Sequence, residues 1–376
     1  MLLRHCLASC AALCVCAASF ASELAPVAAS APVVQKKFNV FVLTQSLGFK
    51  HAVVTRPTIP AGALSTVEKA LVEIGERSGV FKAECSQDAT QLTPAKLKEI
   101  DALIFFTSGN LPLKPAEFAE IQSWLRGGKA FIGIHSATDT FKEFRPYVDM
   151  AGATFLRHPW NHGGTVLNLD PGHAAVKMFP AEFSWHDELC EQRDFDARKS
   201  RVLLALNMER SAPQVPHAVP LSWVREYGKG RVFYTNFGNS EAVWSDELFR
   251  RHVLGGLKWA LKLEAGSAEA DPEAYVKLDD KARSVVLESD KGWLVKAAKS
   301  VSADPGAIVD AAVKLSRDDK ADFLKLHELV SAARSDENER SRKLRINQRP
   351  TENEGSEVRQ KRLEVLNFVR SPQANQ

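Results

Sequence analysis

Histidines follow apolar runs again and again in this chain. The run "FNVFVL" at 38–43 is followed by His51, "KAFIGI" at 129–134 leads straight into His135 and then Asp139, and "AGATFLRHPW" at 151–160 carries His158 and Trp160. Further on, "WHDEL" supplies Asp187 and Glu188, and "YTNFGNSEAVW" supplies Tyr234, Asn239 and Trp244. A neutral imidazole, with its unperturbed pKa of about 6.5, can take up and return a proton near neutral pH. Imidazoles mixed with carboxylates are also a ligand set that suits zinc. These ligands lie on separate segments, without the compact spacing of a His-Glu-x-x-His helix, so any shared site must be assembled by the fold. His162, His217 and His252 carry no such motif, and structural or solvated roles are expected for them. The two tryptophans have two readings, a sugar-stacking surface or a core position. The acids of "WHDEL" can equally cap a helix.

The elements that must position these groups read as an α/β pattern. Strands are expected at 38–43, 81–85, 101–106 and 129–134, with amphipathic helices at 63–79 and 115–128, the latter stopping at a glycine pair. Strands alternating with helices of this length imply a parallel sheet with helices on both faces. Ligands of such sheets bind at the carboxyl ends of the strands, where the histidines fall. Residues 157–220 read as loop-rich. A hairpin across Gly228 and Gly230 and a closing helix over 246–264 follow. After Gly266 the composition shifts to Ala, Lys, Asp, Glu and Arg, which predicts a helical extension over 266–376 ending in a charged, partly disordered tail.

The composition narrows the setting. The chain has 376 residues, 45% of them apolar, and its 49 basic and 46 acidic residues leave a formal charge of +3. That is a globular composition without the basic excess of a nucleic-acid binder. Residues 1–21, "MLLRHCLASCAALCVCAASFA", read as a signal peptide with cleavage near Ser22, and 22–37 as an Ala/Pro-rich linker. A lipoprotein reading with Cys10 modified has too little apolar sequence before it. No later apolar run approaches the roughly twenty residues of a membrane span. A periplasmic or secreted location is therefore expected. Cys85 and Cys190 would remain after cleavage, as two separate buried thiols or, less favoured, one disulfide.

Five ordered stretches, "VLTQSLGFKHAVV…IPAG", "FIGIHSATDTF", "AGATFLRHP", "DEL" and "LSWVREYGKGRVFYTNFG…W", resemble the ThuA-like (trehalose-utilisation) family over about residues 38–265. The resemblance implies a flavodoxin-like, class I glutamine amidotransferase-like fold and a link to disaccharides and their keto derivatives. In amidotransferases the elbow after the central strand carries a cysteine. Here Gly133-Ile134 is followed by His135, with Ala137 where a glycine would make the tightest turn, so glutamine hydrolysis is not expected. The chain also departs from the family in having Asn239 after Gly238, where a histidine is usual, and Cys190 where an aromatic residue is usual. The implied roles are catalytic for His135, His158 and Asp187, and substrate-binding for His51, Asp139, Trp160, Glu188, Tyr234, Asn239 and Trp244. His51, His135 and His158 are the metal candidates, zinc being the divalent ion they suit. The expected partner is a small carbohydrate. The competing reading is a non-catalytic carbohydrate-binding or structural protein.

Overall fold

The computed structural model describes residues 37–211, 215–345 and 352–371. The expected signal peptide, and the expected linker apart from Lys37, lie outside the described residues. A central sheet is built from β1 (Phe38–Leu43), β2 (Phe81–Ser86), β3 (Ala102–Phe105), β4 (Ala130–Ile134) and, much later in the chain, a strand at Gly230–Thr235. These five pair in parallel, in the order β2-β1-β3-β4 and then the late strand. Alternate residues of each strand feed two cores. Val40, Val42, Ile104 and Ile132 face one side and Phe41, Leu103, Phe105 and Phe131 the other.

Helices cover both faces, as the pattern implies. On the first lie α1 (Thr66–Ser78) and a helix at Glu247–Ala260; on the second lie α3 (Pro115–Arg126) and α4 (Arg145–Ala151), while α2 (Pro94–Glu99) connects β2 to β3. Local signals set the helix ends. Ser65 and Glu68 form a capping box at the start of α1, and Gly79 ends it in the left-handed conformation at φ 69°.

The middle of the chain differs from the expected loops. Residues 154–206 hold five strands: β5 (Thr154–Trp160), β6 (Gly164–Asn168), β7 (Glu182–Trp185), β8 (Leu189–Arg193) and β9 (Arg201–Leu206). They are short and separated by Pro-, Gly- and His-bearing turns, so their apolar alternation is hard to see in any one segment. With β10 (Pro220–Tyr227) and β11 (Gly230–Thr235), the hairpin expected at 221–238, the sheet continues antiparallel as β11-β10-β9-β6-β7. β5 and β8 form a separate antiparallel ribbon. Asp187 and Glu188 therefore precede a strand and do not cap a helix. α5 (Glu241–Ser245) and α6 (Glu247–Ala260) complete the first face.

The extension is a helical unit with a core of its own. α7 (Pro272–Ser300), α8 (Pro305–Asp318), α9 (Lys320–Arg345) and α10 (Glu352–Arg370) bury Leu294, Ile308, Leu326 and Val365 among them. The start of α7 docks on the sheet domain, where Asp279 accepts from the Ala218 backbone N–H at 3.1 Å and Tyr275 packs on Phe195. The charged stretch expected to be partly disordered is helical over 335–345 and 352–362. Arg362 pairs with Glu337 at 2.6 Å and Lys361 with Asp336. Apolar residues Val365, Leu366 and Val369 are what anchor α10. Among the described residues, no helix is long and apolar enough to cross a membrane. Cys85 and Cys190 are both free, Cys190 buried and Cys85 partly so.

One buried ion pair fixes the loop after β1, which carries His51. The Glu68 carboxylate is fully enclosed, and it accepts from Arg56 at 2.7–3.0 Å, from Thr44 Oγ1 at 2.7 Å and from the Ser65 backbone N–H at 2.8 Å. Burial alone would raise its pKa, and these donors outweigh that and hold it below the ordinary glutamate range. Arg56→Ala leaves the carboxylate enclosed without its partner. The expected loss is about 3 kcal/mol, the low end for a broken buried pair because Arg56 is partly exposed. Urea denaturation of the variant measures it, and a loss under about 1 kcal/mol, the scale of a surface pair, would place the clamp at the surface.

Candidate active site

β4 delivers His135 to the carboxyl edge of the sheet in an unusual backbone state. All five residues of the strand are buried, and His135 itself opens a short 3-10 turn, His135–Asp139, at φ 48°. A non-glycine residue in the left-handed region is uncommon and costly, and persists where its surroundings fix it. Here the fixing groups are visible. Tyr234 on β11 lies buried beneath the turn and its hydroxyl donates to the His135 carbonyl at 2.7 Å. The His135 ring lies 2.7 Å, through Nδ1, from the Asn236 carbonyl. A carbonyl only accepts, so Nδ1 carries a proton and Nε2 faces the site.

Glu188 lies opposite, with Oε1 3.6 Å from His135 Nε2 and Oε2 3.7 Å from His158 Nδ1. His51 closes the group, its ring edge-on to that of His135 at 4.8 Å between centroids. One ligand atom from each of His51, His135 and Glu188 can be chosen so that all lie within 4.8 Å of one another. Burial, and then the neighbouring His135, push the His51 pKa down to about 4, so this ring is neutral at physiological pH. Burial also works against a charge on His135, yet Glu188, Asp187 and the Asn236 carbonyl outweigh it and raise the pKa. The neighbouring His135 lowers that of Glu188.

Behind this group sits Asp187. Its Oδ2 accepts from the backbone N–H groups of Gly238 at 2.6 Å and Asn239 at 3.3 Å, whereas Oδ1 is buried without a hydrogen-bond partner among the described residues. His51 Nδ1 is orphaned in the same way. Burial raises the Asp187 pKa. In front lies a cavity of about 300 Å³ walled by Phe49, His51, His135, Ser136, Asp139, Phe155, His158, Glu188 and Cys190. His158 is half exposed at its rim, bonded through Nδ1 to Asn161 Oδ1 at 2.7 Å, and Asp139 pairs with Lys142 at 2.9 Å.

Of the residues expected from sequence, His51, His135, Asp139, His158 and Glu188 meet at one cavity, with Asp187 directly behind. The other four do not reach its wall. Trp160 is buried in the core, and Trp244 is buried with its indole N–H donated to the Gly238 carbonyl at 2.8 Å. Tyr234 supports the elbow from below, and Asn239 serves Asp187 through its backbone. Phe49, Phe155, Ser136 and Cys190 were not among the site residues expected from sequence, Cys190 having been marked only as a thiol and as a departure from the family. Phe49 and Ser136 adjoin motif histidines, but an aromatic on a strand such as Phe155 carries no sequence mark separating a cavity wall from a core. His252 is structural, as expected, donating and accepting between the Ala175 carbonyl at 2.6 Å and Thr235 Oγ1 at 3.0 Å. Cys190 offers no amidase nucleophile, because burial and the nearby Glu188 and Asp187 carboxylates hold its thiol protonated.

Residues 39–260 match the ThuA family, described as trehalose utilisation. The chain belongs to that family. Among solved structures it is similar to a ThuA-like protein from Bacteroides uniformis ATCC 8492, at 18% identity and a TM-score of 0.48, with 59% of this chain and 91% of that one covered. A ThuA-like protein from Parabacteroides merdae ATCC 43184 aligns at 15% identity and a TM-score of 0.46, covering 62% of this chain and 92% of that one. Among curated proteins, none matches. In this ThuA-family chain the whole cavity wall lies within the matched residues, and the helical extension lies outside them.

The His51 titration tests the geometry. In chelator-treated protein, the His51 ring should titrate near pH 4 by NMR. In His135→Ala the value should rise, because a like charge is removed, without reaching the ordinary value of about 6.5, because burial remains. A His51 that titrates near 6.5 in the parent protein would mean that the ring lies in solvent.

Proposed function

We propose that this ThuA-family chain is a secreted or periplasmic enzyme that acts on a keto-sugar or glycoside, using a divalent metal and histidine acid/base chemistry. One observation carries the reading: two buried histidines and a glutamate converge on one point at the edge of the sheet. Their state suits a cation. His51 is held neutral, the Asn236 carbonyl fixes the His135 tautomer with Nε2 toward the site, and Glu188 is ionised. A carbonyl or carboxylate behind a ligating histidine is the usual means of aiming its ring. His₂Glu with an open position is also a ligand set of catalytic zinc.

Zinc held there would polarise a substrate carbonyl or a water. The chain's own groups supply the rest. His158, at the rim and in contact with solvent, is placed to take or return the proton beside a sugar carbonyl. Asp139 offers an acceptor for hydroxyl groups. Phe49 and Phe155 give apolar faces of the kind on which the C–H face of a sugar ring packs. The segment "MLLRHCLASCAALCVCAASFA" supports the secreted setting.

A second reading, sugar binding without turnover, draws on Asn239, which stands where the family's histidine is usual and cannot replace an imidazole as proton carrier. One set of measurements separates the two. Elemental analysis of untagged protein should find about one divalent ion per chain, lost in His135→Ala and Glu188→Gln. A screen of 3-keto and parent disaccharides by mass spectrometry should give product, with His158→Ala slowed about a hundredfold. Saturable sugar binding with no product, metal added, would favour the binding reading.

A further inference from the structure

A second cavity, of about 280 Å³, shares no wall residue with the first. It opens between α4, the segment after β8, and β10, and its charged wall residues are Arg145, Asp149, Asp194, Asp196, Arg198, Lys199 and Arg225. Arg225 stands apart from the rest. Its side chain on β10 is buried, at 7% exposure, and it makes no hydrogen bond or ion pair with any described residue; its Nε is enclosed. Ser200 Oγ is likewise buried without a partner. The two converge beside Gly152, where an added Cβ would lie 3.3 Å from Arg225 Nη1 and 3.5 Å from Ser200 Oγ.

The carboxylates of this cavity are engaged elsewhere. Asp149 and Asp194 each pair with Arg145, at 3.2 and 3.3 Å, and Asp196 pairs with Arg198 at 2.9 Å and Lys199 at 3.7 Å. Asp149 and Asp196 act on Arg225 only through space. With four cations and three carboxylates in the wall, the excess charge is that of Arg225. A largely buried guanidinium without a partner is costly, and its planar fork of donors matches a carboxylate or phosphate. We propose that this cavity is an oxyanion subsite, in which Arg225 holds the carboxylate or phosphate group of a small molecule, with Ser200 beside it.

Thermal melting of the full chain at fixed ionic strength, titrated with inorganic phosphate or with acetate against chloride, tests this. A saturable rise in Tm with either anion is expected, and which one acts tells phosphate from carboxylate recognition. His135→Ala should keep the response, which separates it from anion binding at the first cavity. Arg225→Met should abolish it and, by removing an enclosed unpaired charge, melt at or above the parent in chloride. Where Arg225→Met does not fold, Arg225→Lys retains the charge but not the fork, and its midpoint anion concentration should rise about tenfold. The proposal is overturned if neither anion raises Tm beyond chloride, if the response survives in Arg225→Met, or if the midpoint is unchanged in Arg225→Lys.

Discussion

The hydrogen bond between His135 Nδ1 and the Asn236 carbonyl is the contact on which the site depends. It joins the end of β4 to the segment just past β11, two strands paired in parallel at the centre of the sheet. It selects the ring tautomer and leaves Nε2 toward Glu188 and His51. It also helps hold a backbone angle, φ 48°, that a histidine does not adopt without cause. The Tyr234 hydroxyl holds the carbonyl of the same residue, and its ring stacks on Trp223 at 4.0 Å. Ring and backbone of His135 are thus fixed independently, both from the β11 side.

Asn236 extends this control to the glutamate. Its side-chain oxygen accepts from the Cys190 N–H and its amide donates to the Cys190 carbonyl, both at 3.0 Å, so the start of β8 is pinned to the end of β11. The chain bends at Asp187, between β7 and β8, and the two consecutive acids have different fates. Asp187 turns inward to the N–H groups of Gly238 and Asn239, while Glu188 turns into the cavity between two histidines. Arg56 and Glu68 do the corresponding job for the loop that carries His51. Three loops are therefore held by polar contacts to Asn236 and Glu68, neither of which is a cavity-wall residue.

The sequence made some of this legible. The parallel strands, both helix layers and the elbow at His135 follow from apolar runs, caps and glycine stops, all of which are local. The meeting of His51 and His135 was legible because each follows a parallel strand at the carboxyl edge of the sheet, whereas His158 lies within β5 of the separate ribbon and Glu188 between β7 and β8. Strands β5 to β8 of the middle region were not legible, since they mix polar and apolar residues and are separated by turns bearing Pro, Gly and His, without the apolar runs of β1, β3 and β4. Trp160, Tyr234 and Trp244 have the right chemistry for a sugar site and are all buried away from the cavity wall. Type and spacing do not distinguish an aromatic that walls a cavity from one that supports it, as Phe155 shows from the other side.

The turn after β4 presents a histidine where the resemblance to amidotransferases would put a cysteine. The amidotransferase elbow presents a thiolate nucleophile, whereas here the one cysteine near the site, Cys190, is held protonated by burial and nearby carboxylates. What the elbow presents is an imidazole facing two acids. Glu188 is ionised, Asp187 is nearby with one oxygen unpartnered, and His51 is too enclosed to take a proton until about pH 4. The group therefore lacks positive charge, and the His135 pKa is raised in spite of its burial. A proton on His135 meets part of it, and a divalent cation among the same three ligands would meet it more fully. Acid/base and metal-assisted chemistry at this site are then two answers to one electrostatic condition, set where the bend between β7 and β8 brings two consecutive carboxylates close to a buried histidine.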